Sequence, residues 1–312
     1  MKHLFILNPV AGGGRRISVG RASIVKTMEQ QADTWEIYET QAPEDATRKV
    51  KQAAEDGTPL RVYACGGDGT LNECVNGAIG HANVAVTTFP MGTGNDFIKT
   101  FSKGREHFYH LPSLLAGRTI ALDVIDVGGR YGINICSVGL DARIGADVHK
   151  YSNLPLIQGK RAYVASLIAN VMQGIANDYT VTVGGKTYAQ QFTLLCACNG
   201  RSYGGTFTPV PDALPDDGLL DILLVKQVSR LKIAQLVGKY AKGRYREIPQ
   251  LIEHVRDTSI TIQAAEDFTI SIDGEILTRR AVTFTLQPKA VQFIIPQAAS
   301  FDLNEVEKNV GN

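Results

Sequence analysis

The chain of 312 residues has almost no net charge: 32 Lys and Arg stand against 31 Asp and Glu, a formal +1. General nucleic-acid binding needs a strongly basic face, so that class of partner is disfavoured. No apolar run is long enough to span a bilayer, and the N-terminus starts on a strand-like Leu4-Phe5-Ile6-Leu7 instead of a cleavable signal. Cysteines are few and odd in number, five without a framework spacing. They fit reduced, mostly buried residues of a cytoplasmic protein. The six histidines offer no zinc pattern, since His107 and His110 lack partners at suitable spacing. Two common nucleotide loops are missing as well. Gly-x-Gly-x-x-Gly does not follow the first strand, and no glycine run leads into Gly-Lys-Ser/Thr, which disfavours a dinucleotide dehydrogenase and a P-loop ATPase.

What the chain does have is glycine at the ends of strands. Cys65-Gly66-Gly67-Asp68-Gly69-Thr70-Leu71-Asn72-Glu73 follows the apolar run Leu60–Ala64 and precedes a helix-like run. Glycine has no Cβ to obstruct a ligand's approach, and a helix starting near Thr70 aims free N–H groups at the same place, which favours phosphate. Two further segments share this position: Asn8-Pro9-Val10-Ala11-Gly12-Gly13-Gly14-Arg15 and Pro90-Met91-Gly92-Thr93-Gly94-Asn95-Asp96-Phe97. Together they would line one nucleotide-sized groove.

The first 122 residues alternate strand candidates (His3–Leu7, Thr34–Glu39, Leu60–Ala64, Val84–Phe89) with helix candidates (Arg16–Gln30, Pro43–Asp56, Thr70–Ile79). This rhythm predicts an α/β domain with a parallel, helix-covered sheet and ligands at the carboxyl ends of its strands. From residue 123 to 295 the rhythm changes. Tyr179–Val183 and Lys186–Gln191 flank Gly184-Gly185, a hairpin signal, and strand candidates follow at Phe192–Cys198, Leu219–Lys226, Thr258–Gln263, Phe268–Asp273, Ala281–Leu286 and Val291–Ile295. The expectation is an antiparallel β-sandwich domain with helical insertions near Gly159–Ile175 and Arg230–Lys242. The cleft between the halves is a natural substrate site, and 296–312 is expected to pack back on the first domain.

Gly66-Gly67-Asp68-Gly69-Thr70, with Asn8-Pro9 upstream and Gly92-Thr93-Gly94-Asn95-Asp96-Phe97 downstream, resembles the diacylglycerol kinase catalytic family, which includes bacterial diacylglycerol kinases, related lipid kinases and sphingosine kinases. The likeness continues through Asp216-Asp217-Gly218-Leu219-Leu220-Asp221 and Ile272-Asp273-Gly274-Glu275, so it covers essentially the whole chain in order. The first motif is shared with NAD kinases and phosphofructokinases. Its combination with Thr93-Gly94-Asn95-Asp96-Phe97 is more specific for lipid kinases. The resemblance implies an ATP- and Mg2+-dependent kinase that phosphorylates the hydroxyl of diacylglycerol or a related lipid to give phosphatidic acid. ATP would be held by Asn8, Pro9, Val10, Ala11, Gly12, Thr40, Gly66, Gly67, Asp68, Gly69, Thr70, Leu71, Asn72, Glu73, Thr93, Asn95 and Asp96. Asp68 would act through the magnesium that accompanies the triphosphate, with Asp96 and Glu275 in the same hydrated network. Asp273, at the end of an alternating strand, would be the general base that relieves the lipid hydroxyl of its proton. On the residues alone, Asp273-Gly274 reads first as a hairpin turn, and it is the resemblance that favours the base.

The resemblance also implies a structural magnesium held by the Asp217 carboxylate and the carbonyls of Leu214 and Leu219. Lys226, Arg230, Lys232, Lys239, Lys242, Arg244 and Arg246 are seven bases without an acid between them, interleaved with Leu231, Ile233, Leu236 and Val237. Such a segment suits either an anionic membrane surface or a solvated helix packed on the sandwich. The picture is a cytoplasmic enzyme attached peripherally to the membrane that supplies its lipid, and the sequence is compatible with a homodimer. Two other functions share the same turn: an NAD kinase, and a catalytically silent nucleotide- or lipid-binding regulator.

Overall fold

The computed structural model describes residues 1–13, 15–152, 176–229 and 232–301. The expected insertion near Gly159–Ile175, Arg230 and Leu231 of the basic segment, Gly14 and the tail beyond 301 lie outside the described residues.

β1 (Lys2–Leu7) and β3 (Leu60–Cys65) are apolar almost throughout and buried almost throughout, as strands covered on both faces must be. β1 pairs parallel with β2 (Thr34–Glu39) and with β3, and β3 pairs parallel with β4 (Val84–Thr88). The strand order is therefore β2-β1-β3-β4, linked by α1 (Arg15–Met28), α2 (Asp45–Ala54) and α3 (Asp68–Ala78). The chain runs outward from β1 to β2 and then crosses back to β3. A crevice opens where the order reverses, between the carboxyl ends of β1 and β3. The Asn8 loop and the Gly66 loop leave those two ends. α3 starts at Asp68, two residues earlier than its sequence suggests, so Asp68 sits in the first turn.

After α4 (Leu111–Leu115) come β5 (Arg118–Asp126), β6 (Tyr131–Gly132), β7 (Ile135–Gly139), α5 (Leu140–Ser152), β8 (Asn177–Val183), β9 (Lys186–Cys198), β10 (Leu220–Lys226), α6 (Ile233–Tyr240), β11 (Ile252–Asp257), β12 (Ser259–Ile272) and β13 (Glu275–Ile295). The pairings among β7 to β12 are antiparallel. Gly184 and Gly185 both have positive φ and close the β8–β9 hairpin.

Three pairs of expected strands are in fact single strands. Lys186–Cys198 is unbroken. Ser259–Ile272 continues past a register shift between Gln263 and Phe268, and Glu275–Ile295 past one between Gln287 and Val291. The polar interruptions are bulges, not turns; Pro288, which lacks a ladder donor, is tolerated in the second. β13 consequently serves two cores. Val282, Phe284 and Leu286 pack with β8, β9 and β12, while Val291, Phe293 and Ile295 pack with β1, β3 and β4. Near its end β13 pairs parallel with β4, Gln292 opposite Ala85 and Phe293 opposite Val86, which joins both halves into one 13-stranded sheet. β5 runs across residue 122, with Leu122 and Val124 in the first core and Ile125 and Val127 in the second. After β13, Ser300 bridges to Lys103 and Phe301 stacks on Phe101 at 4.5 Å.

Arg201 ties three segments together. Only 3% exposed, it donates Nε to the Ala213 carbonyl (2.9 Å), Nη1 to Ser102 Oγ (2.7 Å) and Nη2 to the Phe301 carbonyl (3.0 Å). Replacing it leaves three acceptors without a donor. Arg201→Met is expected to lower the unfolding free energy by about 2–4 kcal/mol in denaturant titration. Arg201→Lys, whose single ammonium cannot span the three, is expected to recover less than half of that loss.

Candidate active site

The three glycine loops meet in space. Gly92 lies against Gly67 so closely that a Cβ on Gly92 would stand 2.5 Å from the Gly67 Cα, and a Cβ on Gly12, whose φ is +57°, would stand 2.3 Å from the Met91 carbonyl oxygen. The Met91 and Gly92 amides both donate to the Gly66 carbonyl, at 2.8 and 2.9 Å. Asn8 Nδ2 donates to Thr70 Oγ1 at 3.1 Å, and Asn8 Oδ1 accepts from the Val10 amide. Above this junction runs a groove of about 1200 Å³, room for a nucleotide and part of a second substrate.

Asn8, Pro9, Val10, Ala11, Gly12, Thr40, Gly67, Asp68, Gly69, Thr70, Glu73, Thr93, Asp96 and Glu275 line it, as do Gly92 and Gly94. Other residues named from the sequence stand behind the wall. Leu71 belongs to the core, Gly66 supplies the carbonyl just described, and Asn95, at φ +49°, turns the loop by donating Nδ2 to the Gly92 carbonyl. Glu73 also has structural work: its Oε2 accepts from the Ala46 amide at 3.0 Å, and its carbonyl from Thr47 Oγ1 at 2.9 Å, which fastens α2 to α3. Burial raises the Glu73 carboxyl above its ordinary range.

Asp68 points into the groove from the first turn of α3. Its Oδ1 accepts from the amides of Asp96 (2.6 Å) and Phe97 (3.2 Å). Burial, and next the nearby Asp96 charge, push its carboxyl up to about 6; the Asp273 charge adds to this. Asp96 is 7% exposed; it pairs with Lys99 and accepts from the Gly205 amide at 2.9 Å. Lys99 Nζ in turn donates to the Gly205 carbonyl. Asp96 thereby draws the Gly204-Gly205-Thr206 loop of the second half into the groove wall. Sequence reasoning missed that loop, although its double glycine was the available signal.

Asp273 occupies a two-residue hairpin between β12 and β13, with positive φ at both Asp273 (51°) and Gly274 (99°). The hairpin reading of Asp273-Gly274 is thus met. Its carboxylate does not line the groove; it is buried beside α3. Oδ1 accepts from the amides of Asn134 (3.0 Å) and Ile135 (2.9 Å), and Oδ2 from the Ile133 amide (2.7 Å) and Asn72 Nδ2 (2.9 Å). Burial raises the carboxyl and these four bonds lower it, with burial prevailing. Asn72 stands one helical turn from Asp68 on the same face of α3, so the bond to Asn72 sets Asp273 beside Asp68. Glu275 reaches back over Gly69 and completes the acidic wall.

The Leu214–Leu219 loop is satisfied by protein donors. Asp217 Oδ1 accepts from the Leu219 amide at 3.1 Å and Oδ2 pairs with Arg256, whose Nε also reaches Asp221. The fully buried Asp123 accepts from the amides of Gly218 (2.8 Å) and Lys289 (2.7 Å), holding the loop to the β13 bulge. Arg256 thus stands on the Asp217 carboxylate, which the resemblance assigns to a structural magnesium. The basic segment around α6 is partly neutralised: Lys239 and Arg244 pair with Glu247, and Arg246 with Asp212. Among the described residues no helix is long and apolar enough to cross a membrane.

Two family models match the chain. Residues 2–127 match the "Diacylglycerol kinase catalytic domain" and residues 134–295 the "YegS C-terminal NAD kinase beta sandwich-like domain". A "Putative lipid kinase" of Staphylococcus aureus strain Mu3 is 28% identical over 247 residues, 79% of this chain and 80% of that protein. The crystal structure of a "putative diacylglycerol kinase" from Bacillus anthracis strain Sterne superposes with a TM-score of 0.76 and 26% identity, covering 95% of this chain and 97% of that one. A second Bacillus anthracis structure, at 24% identity and a TM-score of 0.71, shares the fold.

The raised Asp68 carboxyl has a consequence for stability. A carboxyl with a folded pKa above its ordinary 3.8 favours the protonated fold, so its contribution is fully present below pH 3.8 and is lost as pH rises through about 6. Asp68→Asn removes the buried charge and keeps an oxygen for the Asp96 and Phe97 amides. It is expected to raise stability at pH 7.5 by about 1–3 kcal/mol and to flatten the decline between pH 4 and about 6 in thermal melts.

Proposed function

The chain belongs to the diacylglycerol kinase catalytic family, and on that premise we propose that it transfers the γ-phosphoryl group of Mg-ATP to the free hydroxyl of diacylglycerol or a closely related lipid, giving phosphatidic acid or its analogue. The observation that carries this reading is the joining of two surfaces. The glycine-walled groove, with Asp68, Asp96 and Glu275 in its wall, adjoins a small apolar pocket of about 40 Å³ between α5, β9, β10 and α6. Phe207 and Val237 line both; Leu140, Ile144, Leu194 and Leu236 line the pocket. The groove suits a nucleotide, and the apolar margin beside it suits the start of an acyl chain.

Phosphoryl transfer depends chiefly on positioning and on neutralising charge. The Asn8–Gly12, Gly67–Thr70 and Gly92–Gly94 backbones and the α3 N-terminus take the phosphates, and Asp68, Asp96 and Glu275 are the residues that would hold a hydrated magnesium, which would neutralise phosphate charge. Arg16, which donates Nη1 to the Gly92 carbonyl at 3.2 Å, adds a cation next to the third loop. Asp273 receives the proton of the lipid hydroxyl as its oxygen attacks. Three of its four hydrogen-bond donors are backbone amides, and the fourth is the Asn72 side chain. The enzyme works as a cytoplasmic protein that attaches to the membrane surface to collect its lipid.

Incubating the purified chain with labelled ATP, magnesium and a panel of lipid acceptors in mixed micelles, with NAD as a parallel acceptor, tests the reading; label in NAD and in no lipid would overturn it. Asp273→Asn, which keeps the shape of the turn, is expected to lower transfer by about a thousandfold or more while nucleotide affinity changes less than about threefold. A matching loss of nucleotide binding would place Asp273 in a different role.

A further inference from the structure

Outside the groove, α3 makes an unusual contact with the second half. Asn76, one turn beyond Asn72, grips the backbone of a single residue from both sides: its Oδ1 accepts from the Tyr131 amide at 2.9 Å, and its Nδ2 donates to the Tyr131 carbonyl at 2.8 Å. An amide N–H can only donate and a carbonyl can only accept, so these two bonds fix which way round the Asn76 side chain stands. With its Nδ2 so directed, Asn76 also donates to Asn72, to its backbone carbonyl at 2.9 Å and to its Oδ1 at 3.1 Å. The Asn72 amide is held by this contact together with two acceptors of its own, since its Nδ2 donates to the Tyr131 carbonyl (2.8 Å) and to Asp273 Oδ2 (2.9 Å). Tyr131 lies two residues before Ile133, the first of three consecutive amides that hold the Asp273 carboxylate.

We infer that Asn76 is a positioning residue for phosphoryl transfer: it sets the Tyr131–Ile135 segment and the orientation of the Asn72 amide, and through both it fixes Asp273 relative to Asp68. Asn76 touches no part of the groove. Its effect is transmitted by two routes, the backbone it grips and the amide it helps to hold, and both end on the same carboxylate. Aspartate at position 76 would keep the acceptor for the Tyr131 amide but lose both donors and face the Tyr131 carbonyl with another oxygen. An isosteric change should therefore be as harmful as truncation. This inference rests on the assignment of Asp273 to proton transfer, and hydrogen exchange provides a readout that does not need turnover.

The test uses the full chain with Asn76→Ala, Asn76→Asp, Asp273→Asn and the Asn76→Ala/Asp273→Asn double variant. With the best lipid acceptor, Asn76→Ala and Asn76→Asp are expected to lower kcat by about 10- to 100-fold, with KM for Mg-ATP within about twofold of wild type. The double variant is expected to be no slower than Asp273→Asn alone, because both changes act on one group. Full kcat in either Asn76 variant, or losses that multiply in the double variant, would overturn the inference. Should Asn76→Ala not fold, Asn76→Asp carries the same comparison. Hydrogen exchange at the Ile133, Asn134 and Ile135 amides is expected to accelerate in both variants; wild-type protection there would also overturn it. A wild-type chain that phosphorylates no lipid would refute the kinase reading, while the exchange measurement would still decide whether Asn76 positions the segment.

Discussion

β13 puts Val282, Phe284 and Leu286 into the core of the second half and Val291, Phe293 and Ile295 into the core of the first, so neither half can shift without opening a packed surface. Close-packed interiors do not deform continuously, and burying six large side chains of one strand in two cores makes that strand a stiff connection. Asp273 and Glu275 sit at its start. Asp123 fixes its bulge through the Lys289 amide, and the parallel pairing with β4 fixes its end. The acidic groups contributed by the second half are therefore placed by the packing of the whole sheet, and not by the hairpin that carries them.

The first half meets them with backbone, not with side chains. Gly12 and Gly92 allow three loops from three strand ends to touch, which no residue with a Cβ could do at those two positions. The loops stand at the crevice where the strand order reverses, the place in such sheets where amides and helix N-termini converge. Around that junction the contacts between halves are polar and specific: Asn72 and Asn76 to Tyr131 and Asp273, Asp96 and Lys99 to Gly205. Apolar packing sets how far apart the halves lie, and these bonds set the register between the groups that face each other.

Much of this was legible in the residues, and the failures have physical causes. Strand-like runs at Leu4–Leu7 and Leu60–Ala64 identified themselves by their largely apolar character, and the glycines of the three loops by their place after such runs. Ala264–Asp267 and Gln287–Lys289 looked like turns because a bulge, like a turn, exposes polar residues; only the register of the partner strand tells them apart. β6 and β7 were missed because they are short and follow Gly128-Gly129, where no alternation can establish itself. Asp273 was legible as a site and as a hairpin, but its four hydrogen-bond donors come from residues about 140 and 200 positions away, and nothing local announces them. Asn76 and Asp123 carried no signal at all, since a lone Asn in a helix or Asp in a strand is ordinary until its partner is known.

The charge of the groove gives these placements a direction. Asp68, Asp96, Glu73 and Glu275 line it, and none of the described lining residues is Lys or Arg. Burial, and next the neighbouring Asp96 charge, raise the Asp68 carboxyl. A triphosphate brought alone to such a wall would meet repulsion that the loop amides offset only in part. On the proposed function, a divalent cation on the phosphates would reverse the sign of the encounter and favour the ionised form of Asp68. The carboxylate that costs stability in the fold alone would then become favourable. This is the pattern expected where a fold keeps a strained charge for the sake of a ligand.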